Sequence, residues 1–166
     1  MEDLNILKGK KVLIVDDEPD VLETLLELLD MCIIDPAHSF VDAEELLEKN
    51  TYDIAIFDIM GVRGYDLLET ANQKGIPAVM FTAHALSPED LVKSIEGGAR
   101  AYIPKEKMPE IATYIADLLK DRQEGKKHLG WFSRLKPFFN RQFGSGWLSQ
   151  RKDFLKKYDA FLFPDE

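Results

Sequence analysis

Short apolar runs alternate with longer stretches of helical period along the first three-quarters of the chain. Val12-Leu13-Ile14-Val15 is a continuous apolar run that stops at Asp16-Asp17, the mark of a strand buried on both faces. Pro19, favoured in a first helical turn, is followed by Val21, Leu22, Leu25, Leu26, Leu28 and Leu29, and this spacing predicts a helix over 19–31. Cys32-Ile33-Ile34 predicts a second strand, and 41–49 a second helix with Leu46 and Leu47 inward. A third strand, Ile54–Phe57, closes on Asp58, and Leu67, Leu68 and Ala71 mark a helix that ends before Gly75. A fourth strand, 78–81, ends at Thr82-Ala83. Ser87-Pro88-Glu89-Asp90 joins a capping hydroxyl, an N1 proline and acids that suit the positive end of a helix dipole; Gly97-Gly98 closes that helix. Ala101-Tyr102-Ile103 is a short fifth strand, and Ile111, Ile115, Leu118 and Leu119 line a fifth helix. Five strands alternating with five helices predict an α/β fold, a doubly wound five-stranded parallel sheet.

The pattern changes at the polar, glycine-containing stretch Glu124-Gly125-Lys126-Lys127-His128, which divides the chain into residues 1–124 and 125–166. Beyond it Trp131, Phe132, Leu135, Phe138, Phe139 and Phe143 are helix-spaced but interrupted by Pro137, and Gly144-Ser145-Gly146 reads as a break. Trp147, Leu148, Phe154, Leu155, Tyr158, Phe161 and Leu162 follow at helical intervals, with Arg151, Lys152, Lys156 and Lys157 on the other side. That predicts an amphipathic basic helix starting at Trp147.

Charge sharpens the division. The whole chain carries a formal charge of -9, which argues against general nucleic-acid binding. Residues 1–124 hold 12 basic and 26 acidic side chains, whereas 125–166 hold 9 basic and 4 acidic, together with both tryptophans. No apolar run approaches the ~18–20 residues of a membrane span, the acidic start Met1-Glu2-Asp3-Leu4 lacks the apolar stretch of a signal peptide, and the lone Cys32 forms no disulfide framework. A cytoplasmic location is therefore expected. His38, His84 and His128 lack metal-ligand spacing, and Cys32 reads as a small buried hydrophobe.

In sheets of this class ligands bind beyond the carboxyl ends of the strands. Asp16 and Asp17 follow strand 1, Asp58 strand 3, Thr82 strand 4 and Lys105 strand 5. With strand order 2-1-3-4-5, strands 1 and 3 are neighbours and the three aspartates converge. Two carboxylates ~4 Å apart repel by ~4 kcal/mol at an effective dielectric near 20, so such a cluster must take up a proton or hold a cation. Hard oxygen ligands with open positions favour Mg²⁺.

This set, each member placed after an apolar strand, resembles the receiver domain of two-component response regulators. The resemblance covers about residues 10–122 and implies a flavodoxin-like (CheY-like) fold of order 2-1-3-4-5. It implies that Asp58 is the phosphoryl acceptor, that Asp17, Asp58 and the Met60 backbone carbonyl ligate Mg²⁺ with Asp16 acting partly through water, and that Lys105, Thr82 and the Ala83 N–H contact the phosphoryl group. Tyr102 resembles the switch aromatic that turns inward as the threonine moves. Met60 and His84 occupy positions expected to set the lifetime of the acyl phosphate. The implied phosphodonor is a histidine kinase or histidine phosphotransfer protein.

Two departures from the family pattern stand out. Asp58-Ile59-Met60-Gly61-Val62-Arg63-Gly64 lacks the usual proline and is about two residues short. Glu106 follows Lys105 where proline usually does, and a non-proline cis bond costs ~2.5–4 kcal/mol, which weighs against a cis peptide there.

The expected function is that of a stand-alone response regulator acting through protein–protein contact. The rivals are a Mg²⁺-dependent phosphohydrolase using Asp58 and a phosphorylation-independent scaffold dominated by the C-terminal extension. The aromatic side of that extension will not stay in water, since each large side chain gains ~1.5–3 kcal/mol on burial. Its candidate covers are the first 124 residues of the same chain or of a twin in a homodimer, a groove on a partner protein, and an anionic membrane surface.

Overall fold

The computed structural model describes residues 4–83, 86–125 and 130–162, with side chains as far as Tyr158. Residues 1–3, His84, His128 and the side chains of Phe161 and Leu162 lie outside the described residues. The chain runs β1 (Lys11–Val15), α1 (Pro19–Leu28), β2 (Ile33–Ala37), α2 (Phe40–Lys49), β3 (Ile54–Phe57), α3 (Gly64–Gln73), β4 (Ala78–Thr82), α4 (Pro88–Glu96), β5 (Ala101–Pro104), α5 (Ile111–Gln123), α6 (Trp131–Phe143) and α7 (Lys152–Leu162). A short 3-10 stretch, Lys105–Glu110, leads from β5 into α5. The five strands form one parallel sheet in the order β2-β1-β3-β4-β5, the expected doubly wound architecture with C-terminal helices added. No helix among the described residues is long and apolar enough to cross a membrane.

β3 and β4 are buried along their whole length, and β1 from its second residue on, because helices cover both faces of the sheet. Helix starts follow the expected chemistry. Ser39 Oγ accepts from Asp42 N at 3.2 Å and Ser87 Oγ from Asp90 N at 3.1 Å, each satisfying an otherwise orphan first-turn donor.

Four boundaries differ from expectation. α1 stops at Leu28 rather than reaching 31, since only a tight turn, with Cys32 N donating to Leu29 O at 3.0 Å, separates it from β2. β2 excludes Cys32 and runs on through Asp35, Pro36 and Ala37. Proline is tolerated there because β2 is an edge strand whose outer side makes no ladder bonds. α6 continues through Pro137. An interior proline costs ~3 kcal/mol, but α6 buries Trp131, Phe132, Leu135, Phe138 and Phe139, each contributing ~1.5–3 kcal/mol, so packing outweighs the local penalty. Finally, Trp147 and Leu148 lie in turns ahead of α7 instead of opening it, both buried.

The extension docks on its own chain. The Phe139 ring lies 5.9 Å from that of Tyr102 in β5, Arg134 pairs with Asp117 of α5 at 3.1 Å, and Arg151 pairs with Glu89 of α4 at 2.9 Å. β5, last in the strand order, is buried from end to end, with both α4 and α6 packed against it. Exposed ion pairs of this kind contribute ~0–1 kcal/mol; the aromatic contacts hold the extension in place.

Candidate functional site

The parallel register assembles the site. Val15 pairs with Phe57, Phe57 with Met80, and Thr82 with Pro104. The residues that leave these strand ends, Asp16, Asp58, Thr82 and Lys105, therefore meet at one edge of the sheet. Asp58 N donates to Val15 O at 2.9 Å and Asp16 N to Ala37 O at 3.1 Å, so both aspartates are held by the ladder itself. Asp16 and Asp58 are only 1% and 2% exposed. Their cluster includes Asp17, which is exposed, and Glu18, which is half-buried; one ligand atom from each of the four lies within 4.8 Å of the others.

Lys105 reaches into this cluster from just beyond the end of β5. Its Nζ stands 2.8 Å from Asp16 Oδ2, 3.3 Å from Glu18 Oε1 and 3.5 Å from Asp58 Oδ2. Burial alone would lower the lysine's pKa, but the hydrogen bond to Asp16 and the charges of Asp58, Asp16 and Glu18 reverse that and raise it. Burial raises the pKa of Asp16 as well, against the pull of Lys105 and of the Glu18 N–H that it accepts at 2.9 Å. Asp58 is pushed up to about 6, first by burial and then by the Asp16 charge, with Lys105 opposing. One ammonium does not balance four carboxylates, and Asp58 Oδ1 is buried with no hydrogen-bond partner among the described residues. Carboxylate oxygens crowded this closely, one of them unsatisfied, fit a hard divalent cation.

Glu18 is a further member of the cluster, and its only signal in the sequence is its position directly after the Asp pair. The short β3–α3 loop is fitted to the cluster through two glycines. Gly61 has φ +86°, and a Cβ on it would fall on the Asp17 carboxylate; a Cβ on Gly64 would run into the Asp58 carbonyl. Met60, between Asp58 and Gly61 in sequence, is 54% exposed. Thr82 is fully buried at the end of β4 and Ala83 is exposed just beyond it. Tyr102 is fully buried, and its hydroxyl accepts from Ser87 N at 3.1 Å, so it serves the start of α4 and lies outside the carboxylate cluster. The described residues contain no cis peptide bond, and Lys105–Glu106 is trans.

An acidic cluster with one reaching lysine, set at the carboxyl edge of a 2-1-3-4-5 sheet, can bind a cation and stabilise an added anion. The sequence model of the response regulator receiver domain matches residues 12–116. The chain belongs to the response regulator receiver family. Among relatives, the heme response regulator HssR of Staphylococcus aureus strain Newman is 37% identical over 100 residues, which is 56% of this chain and 43% of that protein. The response regulator protein PilR of Pseudomonas aeruginosa is 31% identical over 105 residues, 60% of this chain and 23% of that one. The chain thus spans less than half the length of these curated relatives. Among solved structures, a CheY-like receiver domain protein from Methanospirillum hungatei JF-1 is 28% identical, with a TM-score of 0.59 covering 69% of this chain and 99% of that one. A two-component response regulator from Clostridium difficile, 22% identical with a TM-score of 0.62, covers 69% of this chain and 98% of that one and shares the fold.

Proposed function

We propose that residues 1–124 are a receiver that accepts a phosphoryl group on Asp58 from a histidine kinase or histidine phosphotransfer protein, and that residues 125–166 are an extension of that receiver. The observation that carries this is the orphan oxygen of a buried Asp58 beside Lys105. In the transfer, a carboxylate oxygen of Asp58 attacks phosphorus in line, the phosphorus–nitrogen bond to the donor imidazole breaks, and its electron pair leaves with the imidazole. Asp58 is left as an acyl phosphate. Lys105, already between Asp16 and Asp58, then pairs with phosphoryl oxygens, and the Thr82 hydroxyl and Ala83 N–H donate to them. Such charge-assisted bonds are the strong ones, and positioning with charge compensation is most of what phosphoryl transfer requires. Asp17, Asp58 and the Met60 carbonyl would hold Mg²⁺, with Asp16 through water; the ion supplies the positive charge that lets a phosphate approach three carboxylates. The chain acts as a phosphoacceptor in the cytoplasm, and its output is contact with another protein.

Acetyl phosphate with Mg²⁺ is expected to add one phosphoryl group per full-length chain, read by intact mass, and none to Asp58→Ala. Equal labelling of the two would remove Asp58 from the acceptor role, and sustained phosphate release from phosphate esters would make the protein a phosphohydrolase instead. Gly61→Ala, which drives a methyl group onto Asp17 from a backbone of positive φ, is expected to weaken Mg²⁺ binding ~10-fold or more by titration calorimetry, the scale of a disturbed ligand support. An unchanged affinity would show that Asp17 is no ligand.

A further inference from the structure

We propose that the extension is an internal ligand of the α4–β5–α5 face whose docking, through Phe139 and Tyr102, is energetically coupled to the Asp58 site, each strengthening the other. This rests on the reading of Asp58 as the phosphoryl site. Met80 pairs with Tyr102 and Thr82 with Pro104, so Thr82 and Tyr102 are diagonal neighbours on one face of the sheet. The Tyr102 hydroxyl takes the Ser87 N–H, and Ser87 caps α4 through Asp90. Asp90 in turn accepts from the Tyr65 hydroxyl at 2.5 Å. Tyr102 thereby anchors one end of the β4–α4 connection whose other end carries Thr82 and Ala83.

The Tyr102 ring meets Phe139. Phe139 is fixed in turn, stacked on Phe143 with centroids 5.5 Å apart and edge-on to Trp147 at 6.2 Å, while Trp147 Nε1 donates to Asn140 Oδ1 at 3.0 Å. Tyr102 and Phe139 are both fully buried. Neither ring can leave its place without opening a hole beside the other. The sign follows from ordering: a phosphoryl group needs the Thr82 hydroxyl and the Ala83 N–H in fixed positions, and a docked extension has already met part of that ordering cost. Linkage makes the effect reciprocal, so an occupied site holds the extension more firmly.

Both tryptophans of the chain, Trp131 and Trp147, lie in the extension and are buried, so their emission reports on it alone. The test uses full-length protein with beryllofluoride and Mg²⁺ as the phosphoryl mimic, its binding followed by fluorine NMR. In wild type the mimic is expected to slow amide exchange in α6 by a larger factor than in α2, where slowing reports only the stabilisation that any bound ligand gives the folded chain. Phe139→Leu is expected to raise the half-saturating beryllofluoride concentration roughly five-fold or more, the usual lower range of such couplings. Tyr102→Phe keeps the ring but drops the Ser87 bond. It is expected to leave tryptophan emission unchanged while abolishing the exchange response.

Saturable binding with exchange in α6 slowed no more than in α2 would overturn the coupling alone, and so would equal half-saturation in wild type and Phe139→Leu. No saturable binding to wild type would overturn the Asp58 reading together with it. The wild-type exchange measurement decides the matter even where a variant fails to fold.

Discussion

In chelator at about pH 8, Asp58→Asn is expected to be more stable than the wild-type chain, by ~2–3 kcal/mol in urea unfolding. The buried carboxyl titrates at about 6 in the folded chain against 3.8 for an unperturbed aspartate, and each unit corresponds to ~1.4 kcal/mol. The folded state holds its proton where the unfolded state has lost it, so wild-type stability falls as pH rises from about 4 through about 6 and stays low above that. The amide carries no such penalty, and Lys105 keeps Asp16 and Glu18 as partners. The two chains should therefore converge near pH 4, separate between about pH 4 and about pH 6, and keep a constant gap above that. Mg²⁺ should close most of the gap by stabilising wild type. An amide variant less stable than wild type at about pH 8 in chelator would mean that the ionised carboxylate is well compensated by the protein alone. The cluster would then have no need of a cation.

Phe139→Ala is expected to cost ~3–5 kcal/mol, the range for truncating a fully buried aromatic ring. The ring touches Tyr102 of the sheet as well as Phe132, Phe138, Phe143 and Trp147 of the extension, so the void opens between the two parts of the chain. Tryptophan emission and far-ultraviolet dichroism should unfold together in wild type, because the extension and the sheet share one core. A loss below ~1 kcal/mol, or an extension that melts well before the sheet, would show that the interface adds little to the fold.

Much of the arrangement was legible because it is local. Runs such as Ile54–Phe57 are strands by composition, Ser87 and Pro88 announce a helix, and once the strand order is given the residues after each strand must meet. What escaped is non-local. Lys105 reaches Glu18 across 87 positions of sequence, a matter of side-chain length that no spacing rule captures. Pro137 signals a break by local propensity, which holds no information about the five buried side chains that carry α6 past it. Trp147 fitted the helical interval but is held in a turn by its contacts with Phe143 and Asn140. The absence of the usual proline and the shortened β3–α3 loop were visible, but not that Gly64 makes room for the Asp58 carbonyl.

The burial of β5 beneath α6 also limits how any partner can approach. A parallel sheet has two terminal strands, and an open one offers a row of unpaired amides and carbonyls that a foreign strand can join. Here the chain's own aromatic helix packs on the strand at one border, and the other, β2, is interrupted by Pro36, which has no amide hydrogen to give. Recruitment by strand addition is thereby disfavoured at both margins, as is edge-to-edge self-association. Recognition is left to side chains displayed on helices and loops, where specificity is set by shape and charge.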